Sequence, residues 1–288
     1  MRGADLARLV VLAMLWSLSF VFMRVVAGPL SPVWTATLRI LVGGLALVGF
    51  LVATGVDAGL RRHWRAYLVV GLVNSAAPFL LFAWAALTLP ASYLVVLNAA
   101  APMFTAVGAA LLFGERLGGL KAAGLAAGAA GVALVSRAGP LDPTPIVMLA
   151  LAASLAAAAC YATAGLWLKR HGGGLAPVAI AAWSQTFGGL ALLPVALATP
   201  MPGPLTAGVI ANLLGLALLC SALAYLLYYR LVRDAGPTRA MTVAFLMPPF
   251  GMVWGATFLG ETITLPMLVG TALVIAGTSA ILRPARAA

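Results

Sequence analysis

Charged side chains are scarce in this 288-residue chain, where they account for 8% of the residues against 64% that are hydrophobic. A soluble globular domain carries about 25% charged residues, so this composition predicts an integral membrane protein. Acidic residues are the scarcest, and all of them fall in predicted loops or at the ends of apolar runs, which leaves no carboxylate in mid-membrane as a proton relay. They are Asp5, Asp57, Glu115, Asp142, Asp234 and Glu261.

Cysteine and histidine are also rare, with two of each, and their positions exclude several kinds of chemistry. Cys160 and Cys220 lie in separate apolar stretches, so neither a disulfide framework nor a metal site is expected. His63 and His171 lie in predicted loops, and no intramembrane cluster of His and Glu suggests a metalloprotease or a lipid transferase. We therefore predict no catalytic residue, no metal and no cofactor.

Long apolar runs fill most of the chain and predict an all-α protein with ten membrane-spanning helices. About 20 apolar residues, rising 1.5 Å each, cross roughly 30 Å of hydrocarbon. Longer charge-free stretches are divided at turns that contain proline, at residues 88–91 and 199–204, because proline cannot continue the helical hydrogen bonding. The predicted spans are 6–27, 32–53, 67–89, 91–113, 120–135, 146–168, 177–198, 205–229, 237–259 and 265–282.

Basic residues are distributed unevenly between the two ends of these spans. With the N-terminus inside, Arg137 alone falls in an outside loop, Arg24 and Arg39 fall within spans, and the remaining fourteen of the seventeen fall in cytoplasmic segments. This distribution follows the positive-inside rule and predicts that both termini are cytoplasmic. The net charge of +11 is therefore a signal of topology, and nucleic acid is not expected as a partner.

One phrase of the sequence occurs twice, 146 residues apart: residues 102–117 read PMFTAVGAALLFGERL and residues 248–263 read PPFGMVWGATFLGETI. Because Pro, Phe and Glu are scarce here, one ungapped register that covers them all indicates a duplication. The copies, 1–140 and 141–288, hold five spans each, and an odd number inserts the second copy upside down. The shift pairs Pro102 with Pro248, Phe104 with Phe250, Gly114 with Gly260, Glu115 with Glu261, Gly124 with Gly270 and Gly131 with Gly277.

These features resemble the drug/metabolite transporter superfamily, and within it the EamA-type carriers. The resemblance covers nearly the whole chain, in span count and in duplication. It departs at Ser17, where the family often has Gly, and at Thr262, which replaces a basic or apolar residue. The residues that carry it are Trp16-Ser17-Leu18-Ser19-Phe20, Arg39, Pro102-Met103-Phe104, Gly114-Glu115-Arg116-Leu117, the second copy 248–263, and Gly124 and Gly131.

The resemblance implies a carrier in the bacterial cytoplasmic membrane, in which helices one to four and six to nine surround a central cavity and helices five and ten lie to the side. Among its members, bacterial exporters of aromatic and other amino acids resemble this chain in size and in aromatic-lined helices. We therefore expect export of small metabolites, foremost amino acids that are aromatic or Thr- or Met-like. Alternating access is natural to inverted repeats, and without a buried acid it would run as facilitated diffusion or exchange.

Three alternative functions remain open at this stage. The first is a carrier of the same superfamily for nucleotide sugars or drug-like molecules. The others are a membrane sensor that transports nothing and a lipid-modifying enzyme, which would call for a soluble domain or an intramembrane catalytic cluster. The sequence shows neither of these features.

Arg39 lies about seven residues into the second span, roughly 10 Å deep at 1.5 Å per residue. An arginine at this depth costs about 2.5 kcal/mol or more if it faces lipid, so it should face the bundle or water. Two interpretations stay open: a counter-charge or gate for a substrate carboxylate, and a structural arginine bound to backbone carbonyls of a broken helix. Arg24, about one turn from the end of its span, is expected to snorkel to the interface.

Polar amides and aromatic side chains within the spans are the other candidates for a cavity lining. A buried amide needs a partner, which is either a neighbouring helix or a solute. Aromatic residues more often pack or form an interfacial belt, and those that face inward would line a cavity for an apolar or aromatic side chain. Together with Arg39, the candidates are Trp16, Phe20, Asn74, Phe79, Tyr93, Asn98, Tyr161, Trp183 and Gln185.

The repeated phrase also holds residues with predicted structural roles. Pro102 and Pro248 are expected to bend their helices by removing a backbone hydrogen bond. Glu115 and Glu261 are predicted on opposite sides of the membrane, roughly 30 Å apart, so they cannot form one active site. Each lies where one helix ends and the next begins, and we expect its carboxylate to favour the N-terminus of the following helix.

Small residues at 124 and 128 allow two helices to approach closely. Packing within the chain is the expected role, and a contact between two copies is the alternative. The predicted partners are thus a small-molecule substrate and the lipid bilayer, with the protein a monomer or a weak homodimer.

Overall fold

The structure, a computed structural model, describes residues 3–138 and 141–282. These residues contain no strand and fold into ten membrane helices. The helices are α1 Gly3–Leu30, α2 Pro32–Thr54, α3 Leu60–Ala85, α4 Ala91–Phe113, α5 Gly119–Ala138, α6 Pro145–His171, α7 Pro177–Leu197, α8 Ala207–Ala235, α9 237–259, made of Pro237–Ala240 and Val243–Leu259, and α10 Leu265–Leu282. The predicted boundary at residue 140 and the side chain of Arg137 lie outside the described residues.

The ten predicted spans are confirmed, with ends that differ by a few residues. Within the described residues, nine helices are long and apolar enough to cross a membrane, and the tenth, α9, is divided by a break at 241–242. The largest difference is at α3, which begins at Leu60 and not at residue 67. Its first turn holds Arg61 and Arg62, both exposed, so the helix continues beyond the apolar run that the composition marks.

Left-handed glycines end the two helices that carry the repeated phrase. Gly114, with φ 67°, follows α4, and Gly260, with φ 64°, follows α9. Each glycine N–H bonds to a carbonyl of the last helical turn, a termination that favours glycine because it lacks a Cβ. The Gly-Glu pair of the repeated phrase is therefore a helix stop followed by a turn.

Two helices contain a π-helical segment at corresponding positions of the halves. The segment in α3 spans Gly71–Ala76, and the segment in α8 spans Gly215–Leu223. The 146-residue shift places 71–76 on 217–222, inside the second segment. Such segments interrupt α-helices frequently at functional sites, so the side chains on this pair of segments are candidates for a functional site.

Helices α5 and α10 pack mainly against each other, through four glycines. A Cβ added at Gly124 would lie 2.7 Å from the Gly277 carbonyl oxygen, and one at Gly131 would lie 2.5 Å from the Gly270 oxygen. The shift pairs Gly124 with Gly270 and Gly131 with Gly277, so the contact is reciprocal, as a two-fold relation between copies requires. The small-residue face that was the alternative contact for a second copy is therefore occupied within the chain.

The remaining contacts between the halves are crosswise. Helix α1 packs against α9, and α6 packs against α4. Helix α2 packs closely against its counterpart α7, because a Cβ at Gly44 would lie only 2.7 Å from the backbone nitrogen of Thr186. The two helices that carry Arg39 and Gln185 are thus in backbone contact.

Candidate functional site

Arg39 is buried in the middle of α2, with 4% of its surface exposed. Its Nε donates a hydrogen bond of 3.1 Å to Ser221 Oγ in the π-helical segment of α8. The Ser221 hydroxyl donates in turn to the Leu216 carbonyl at 3.1 Å, which leaves its oxygen free to accept from the arginine. The guanidinium carbon lies 3.8 Å from the centre of the Phe79 ring, within the range of a cation–π interaction.

The terminal nitrogens of Arg39 donate no hydrogen bond to any residue that the structure describes. All six Asp and Glu residues belong to the described part, and none forms an ion pair with this arginine. Taking an ion out of water costs several kcal/mol unless a counter-charge replaces the water. The geometry therefore suits an anion that comes from outside the chain.

Aromatic rings extend from Phe79 on one side of the guanidinium. The rings of Phe79 and Tyr161 lie 6.3 Å apart, Tyr161 is stacked on Phe82 at the same distance, and Phe82 meets Phe20 at 5.2 Å. These residues come from α1, α3 and α6. The structure thus brings three predicted candidates, Phe20, Phe79 and Tyr161, together with Arg39.

Gln185 is fully buried in α7, and neither its amide oxygen nor its amide nitrogen has a hydrogen-bond partner among the described residues. A Cβ at Gly43, one turn of α2 beyond Arg39, would lie 3.2 Å from Gln185 Oε1. The same Cβ would lie 3.0 Å from Ser221 Cβ, so Gln185 approaches the surroundings of Arg39. Asn74 and Trp16 reach this region through Tyr225, which lies beside Asn74 and has its ring centre 5.9 Å from that of Trp16.

Three predicted candidates have other neighbours. The Trp183 ring packs on Phe187 and faces a pocket beside the end of α2. Tyr93 lies in the first turn of α4 with its hydroxyl unpartnered among the described residues. Asn98 is the last residue before the break in α4 at 99–100, directly ahead of Pro102.

The carboxylate of Glu261 holds the beginning of α4. Its Oε1 accepts from the Ala91 N–H at 2.6 Å, and its Oε2 accepts from the Ser92 N–H at 3.0 Å. The first N–H groups of a helix have no partner within it, and they attract negative charge. The expectation that Glu261 serves the following helix is wrong, because the side chain folds back over Gly255 and reaches the other half of the molecule.

Glu115 pairs with Lys169 instead of the following helix, α5. Lys169 Nζ lies 2.6 Å from Glu115 Oε1, and both side chains are largely exposed. The hydrogen bond and the charge of Lys169 lower the pKa of the Glu115 carboxyl. The two glutamates of the repeated phrase therefore have different partners.

Two further residues have more specific surroundings than expected. Arg24 donates a hydrogen bond to the Ala86 carbonyl just after α3, so its guanidinium reaches the end of that helix, and snorkelling to the interface stays a prediction. It thereby binds a carbonyl at the negative end of that helix. Pro248 lies inside the continuous helix Val243–Leu259, and the break in α9 comes earlier, at 241–242, so the bend assigned to Pro248 stays a prediction.

Ser221 and Ser75 were missed at the level of sequence. A serine in an apolar helix usually bonds its own backbone, so neither residue is distinctive alone. The signal that finds them is the 146-residue shift, which pairs Arg39 with Gln185 and Ser75 with Ser221.

The EamA-like transporter family model matches the chain twice, at residues 6–137 and 148–283. An uncharacterized transporter of Bacillus subtilis, YvbV, is 27% identical over 266 residues, which cover 92% of this chain and 87% of that relative. A probable terminal-alkyne amino-acid exporter of Streptantibioticus cattleyicolor is 28% identical, with 96% and 92% covered. A probable amino-acid metabolite efflux pump of Salmonella typhimurium is 29% identical, with 96% and 93% covered.

A solved crystal structure shares the fold. It superposes with a TM-score of 0.67 at 18% identity and covers 97% of this chain and 96% of its own. Two family matches, ten membrane helices and bacterial transporter relatives agree with one another. The chain belongs to the EamA-like transporter family of the drug/metabolite transporter superfamily, and it is a multi-pass membrane transporter of the bacterial cytoplasmic membrane.

Proposed function

We propose that this transporter exports amino acids, foremost aromatic or Thr- and Met-like ones, by alternating access of the inverted repeats 1–140 and 141–288. Two relatives named as an amino-acid exporter and an amino-acid metabolite efflux pump support the substrate class. The crosswise packing of the halves supports rocking of one against the other. In this proposal both termini are cytoplasmic, and the protein carries out no enzymatic reaction.

Arg39 is the observation that carries the proposal. An amino acid brings a carboxylate into a site where a guanidinium has unused donors and no counter-ion in the described part of the chain. Carboxylates accept from both terminal nitrogens of an arginine in a bidentate pair. The rings beside Arg39 would contact the substrate side chain, and the proposed cavity residues also include Trp16, Asn74, Tyr93, Asn98, Trp183 and Gln185.

The positions of the acidic residues bear on whether transport is coupled to a proton gradient. All six lie in loops or close to helix ends, so the proposed cycle contains no carboxylate that carries a proton through the middle of the membrane. The substrate then moves down its own gradient or exchanges with a second solute. Imposing a pH gradient across vesicles should leave the rate of exchange unchanged.

Transport of labelled amino acids into proteoliposomes tests the function directly. Arg39→Ala should lower flux at limiting substrate by roughly tenfold or more, since a charge-assisted hydrogen bond contributes about 1.5–3 kcal/mol. Arg39→Lys keeps the charge without the bidentate geometry, so its flux should fall between those of the wild type and Arg39→Ala. Ser154→Ala is a matched control, because its buried hydroxyl bonds only the Ala150 carbonyl of its own helix.

Two results would contradict the proposal. No flux for any amino acid, with flux of sugar phosphates or nucleotides instead, would contradict the substrate class. Equal flux through Arg39→Ala and Ser154→Ala vesicles of matched protein content would remove the role of Arg39. In growing cells, overexpression should raise tolerance to toxic amino-acid analogues only if the direction is export.

A further inference from the structure

The pair of Arg39 and Ser221 has a counterpart in the other half of the molecule. The 146-residue shift turns Arg39 into Gln185 and relates Ser221 to Ser75. Arg39 in α2 binds Ser221 in the π-helical segment of α8. The corresponding residues are Gln185 in α7 and Ser75 in the π-helical segment of α3. Each pair thus combines a helix of one repeat with a π-helical segment of the other.

Backbone contacts show that α7 packs against the segment that carries Ser75. A Cβ at Gly188 would lie 2.7 Å from the Gly71 carbonyl oxygen and 3.5 Å from the Ala76 nitrogen. A Cβ at Gly71 would meet the carbonyl of Ser184. The contacting residues precede and follow Ser75 in α3, and they precede and follow Gln185 in α7.

The two pairs differ in how their polar atoms are satisfied. Ser221 accepts from Arg39 and donates to Leu216, so the first pair is connected. In the second pair, Gln185 Oε1, Gln185 Nε2 and Ser75 Oγ are all fully buried and make no hydrogen bond among the described residues. Leaving a buried donor or acceptor unpaired is costly, and three such atoms on two segments packed against each other indicate a partner that is not part of the chain.

We propose that Gln185 and Ser75 form the second half of a two-point substrate site, which binds the amino group of a solute whose carboxylate binds Arg39. This inference rests on the function proposed above. An amide oxygen and a hydroxyl oxygen accept hydrogen bonds from an ammonium group, and the amide nitrogen can donate to the carboxylate of the same solute. A neutral pair does not neutralise a second carboxylate. The site therefore selects molecules with one carboxylate and a free amino group over dicarboxylates and over N-acylated acids.

Gln185 and the partner of Arg39 approach the same point of α2. A Cβ at Gly43 would lie 3.2 Å from Gln185 Oε1 and 3.0 Å from the Cβ of Ser221, the residue that accepts from Arg39. A carboxylate oxygen and the amino nitrogen of one amino acid are about 3 Å apart from standard bond lengths. Two hydrogen bonds of about 2.9 Å extend that reach to about 9 Å, so a solute as small as an amino acid can bind two side chains in this region.

Competition against uptake of labelled L-phenylalanine into proteoliposomes tests the inference. The unlabelled competitors are L-phenylalanine, N-acetyl-L-phenylalanine, which keeps only the carboxylate, and L-phenylalaninamide, which keeps only the amino group. On the wild-type protein, each modified competitor should be weaker than phenylalanine by about tenfold or more. L-Methionine and its two derivatives replace this set if methionine gives the higher flux.

Gln185→Leu should weaken phenylalanine until it competes no better than its N-acetyl derivative, while the difference between phenylalanine and its amide persists. Ser75→Ala, a smaller change, should shift the same ratio in the same direction, and Ser154→Ala should not. If Gln185→Leu is not monodisperse in detergent, Ser75→Ala and Gln185→Met decide the test. Arg39→Lys should reduce the preference for phenylalanine over its amide.

Each outcome has one meaning. A wild-type ratio of phenylalanine to N-acetylphenylalanine in Gln185→Leu and Ser75→Ala would show that these side chains do not bind the amino group, and it would overturn the two-point site. In that case Arg39-dependent transport of amino acids would leave the proposed function standing. Absence of amino-acid flux through the wild-type protein would instead overturn both.

Discussion

The turn that follows α4 and the turn that follows α9 have the same backbone but different side-chain partners. Both begin with a left-handed glycine, and in both the glutamate N–H bonds to a carbonyl six residues earlier, at 3.4 Å for Glu115 and 3.1 Å for Glu261. Glu261 nevertheless holds the start of α4, whereas Glu115 pairs with the exposed Lys169. The local sequence therefore determines the turn without determining what the carboxylate binds.

One methyl group explains much of this difference. The Glu261 carboxylate lies over Gly255, where a Cβ would collide with Oε2. The 146-residue shift places Ala109 at the corresponding position of α4, and its methyl group occupies the place where a folded-back Glu115 would lie. Glu115 must point away from α4, where it meets Lys169.

Removing the Glu261 carboxylate should have the largest effect. In Glu261→Ala, two N–H groups of α4 lose a charged acceptor, and the free energy of unfolding should fall by roughly 2–4 kcal/mol. Glu115→Ala is the matched control and should lower it by less than about 1 kcal/mol, because its ion pair is exposed. Thermal unfolding midpoints in one detergent compare the two, and equal losses would show that the turns are equivalent.

Gly255→Ala should reproduce part of this loss while leaving the glutamate in place. Its new methyl displaces the carboxylate from α4 and should cost about 1–2 kcal/mol, the lower part of the range for overpacking. Combined with Glu261→Ala, the same substitution should cost nothing further, since no carboxylate is left to displace. Additive losses in the double variant, measured by the same midpoints, would mean that Gly255 acts through other contacts.

The smallest expected effect is the pH dependence of the Glu115 ion pair. Lys169 lowers the pKa of Glu115 from its ordinary value of 4.5, so the pair's contribution to stability is present above that value. It is lost as the pH falls through the lowered pKa. The difference in the free energy of unfolding between wild type and Glu115→Gln should be less than about 1 kcal/mol at neutral pH. The corresponding difference in unfolding midpoint should therefore shrink on acidification from pH 7. A difference that grows on acidification would contradict the ion pair.

Most of the fold could be predicted from the sequence, because span number depends on composition and on prolines. The predicted ends of α3 and α8 were less accurate, because polar turns continue both helices beyond the apolar runs that the composition marks. Helical interruptions such as Gly71–Ala76 have no distinctive composition and could not be predicted. The prediction of a transporter came from the family resemblance, whereas the contacts of Arg39 and Glu261 required the structure.

The candidate site was predicted only in part. Arg39 is conspicuous because a charge in an apolar helix is costly, but its partner Ser221 depends on how α2 and α8 pack. The register of the repeat pairs Arg39 with Gln185, but two different residue types at these positions do not by themselves indicate a shared role. Which helix each glutamate contacts depends on whether the residue six positions earlier is Gly255 or Ala109, and this difference is informative only once the two turns are compared.

The contact between Glu261 and the start of α4 also has a consequence for synthesis of the chain. The two partners are separated by 170 residues, so the first N–H groups of α4 enter the membrane long before their acceptor exists. At about 5–20 residues per second, that interval lasts on the order of 10 to 30 s. Throughout it, the α3–α4 hairpin must rely on water, lipid headgroups or the insertion machinery, and its final form waits for the last two helices to arrive.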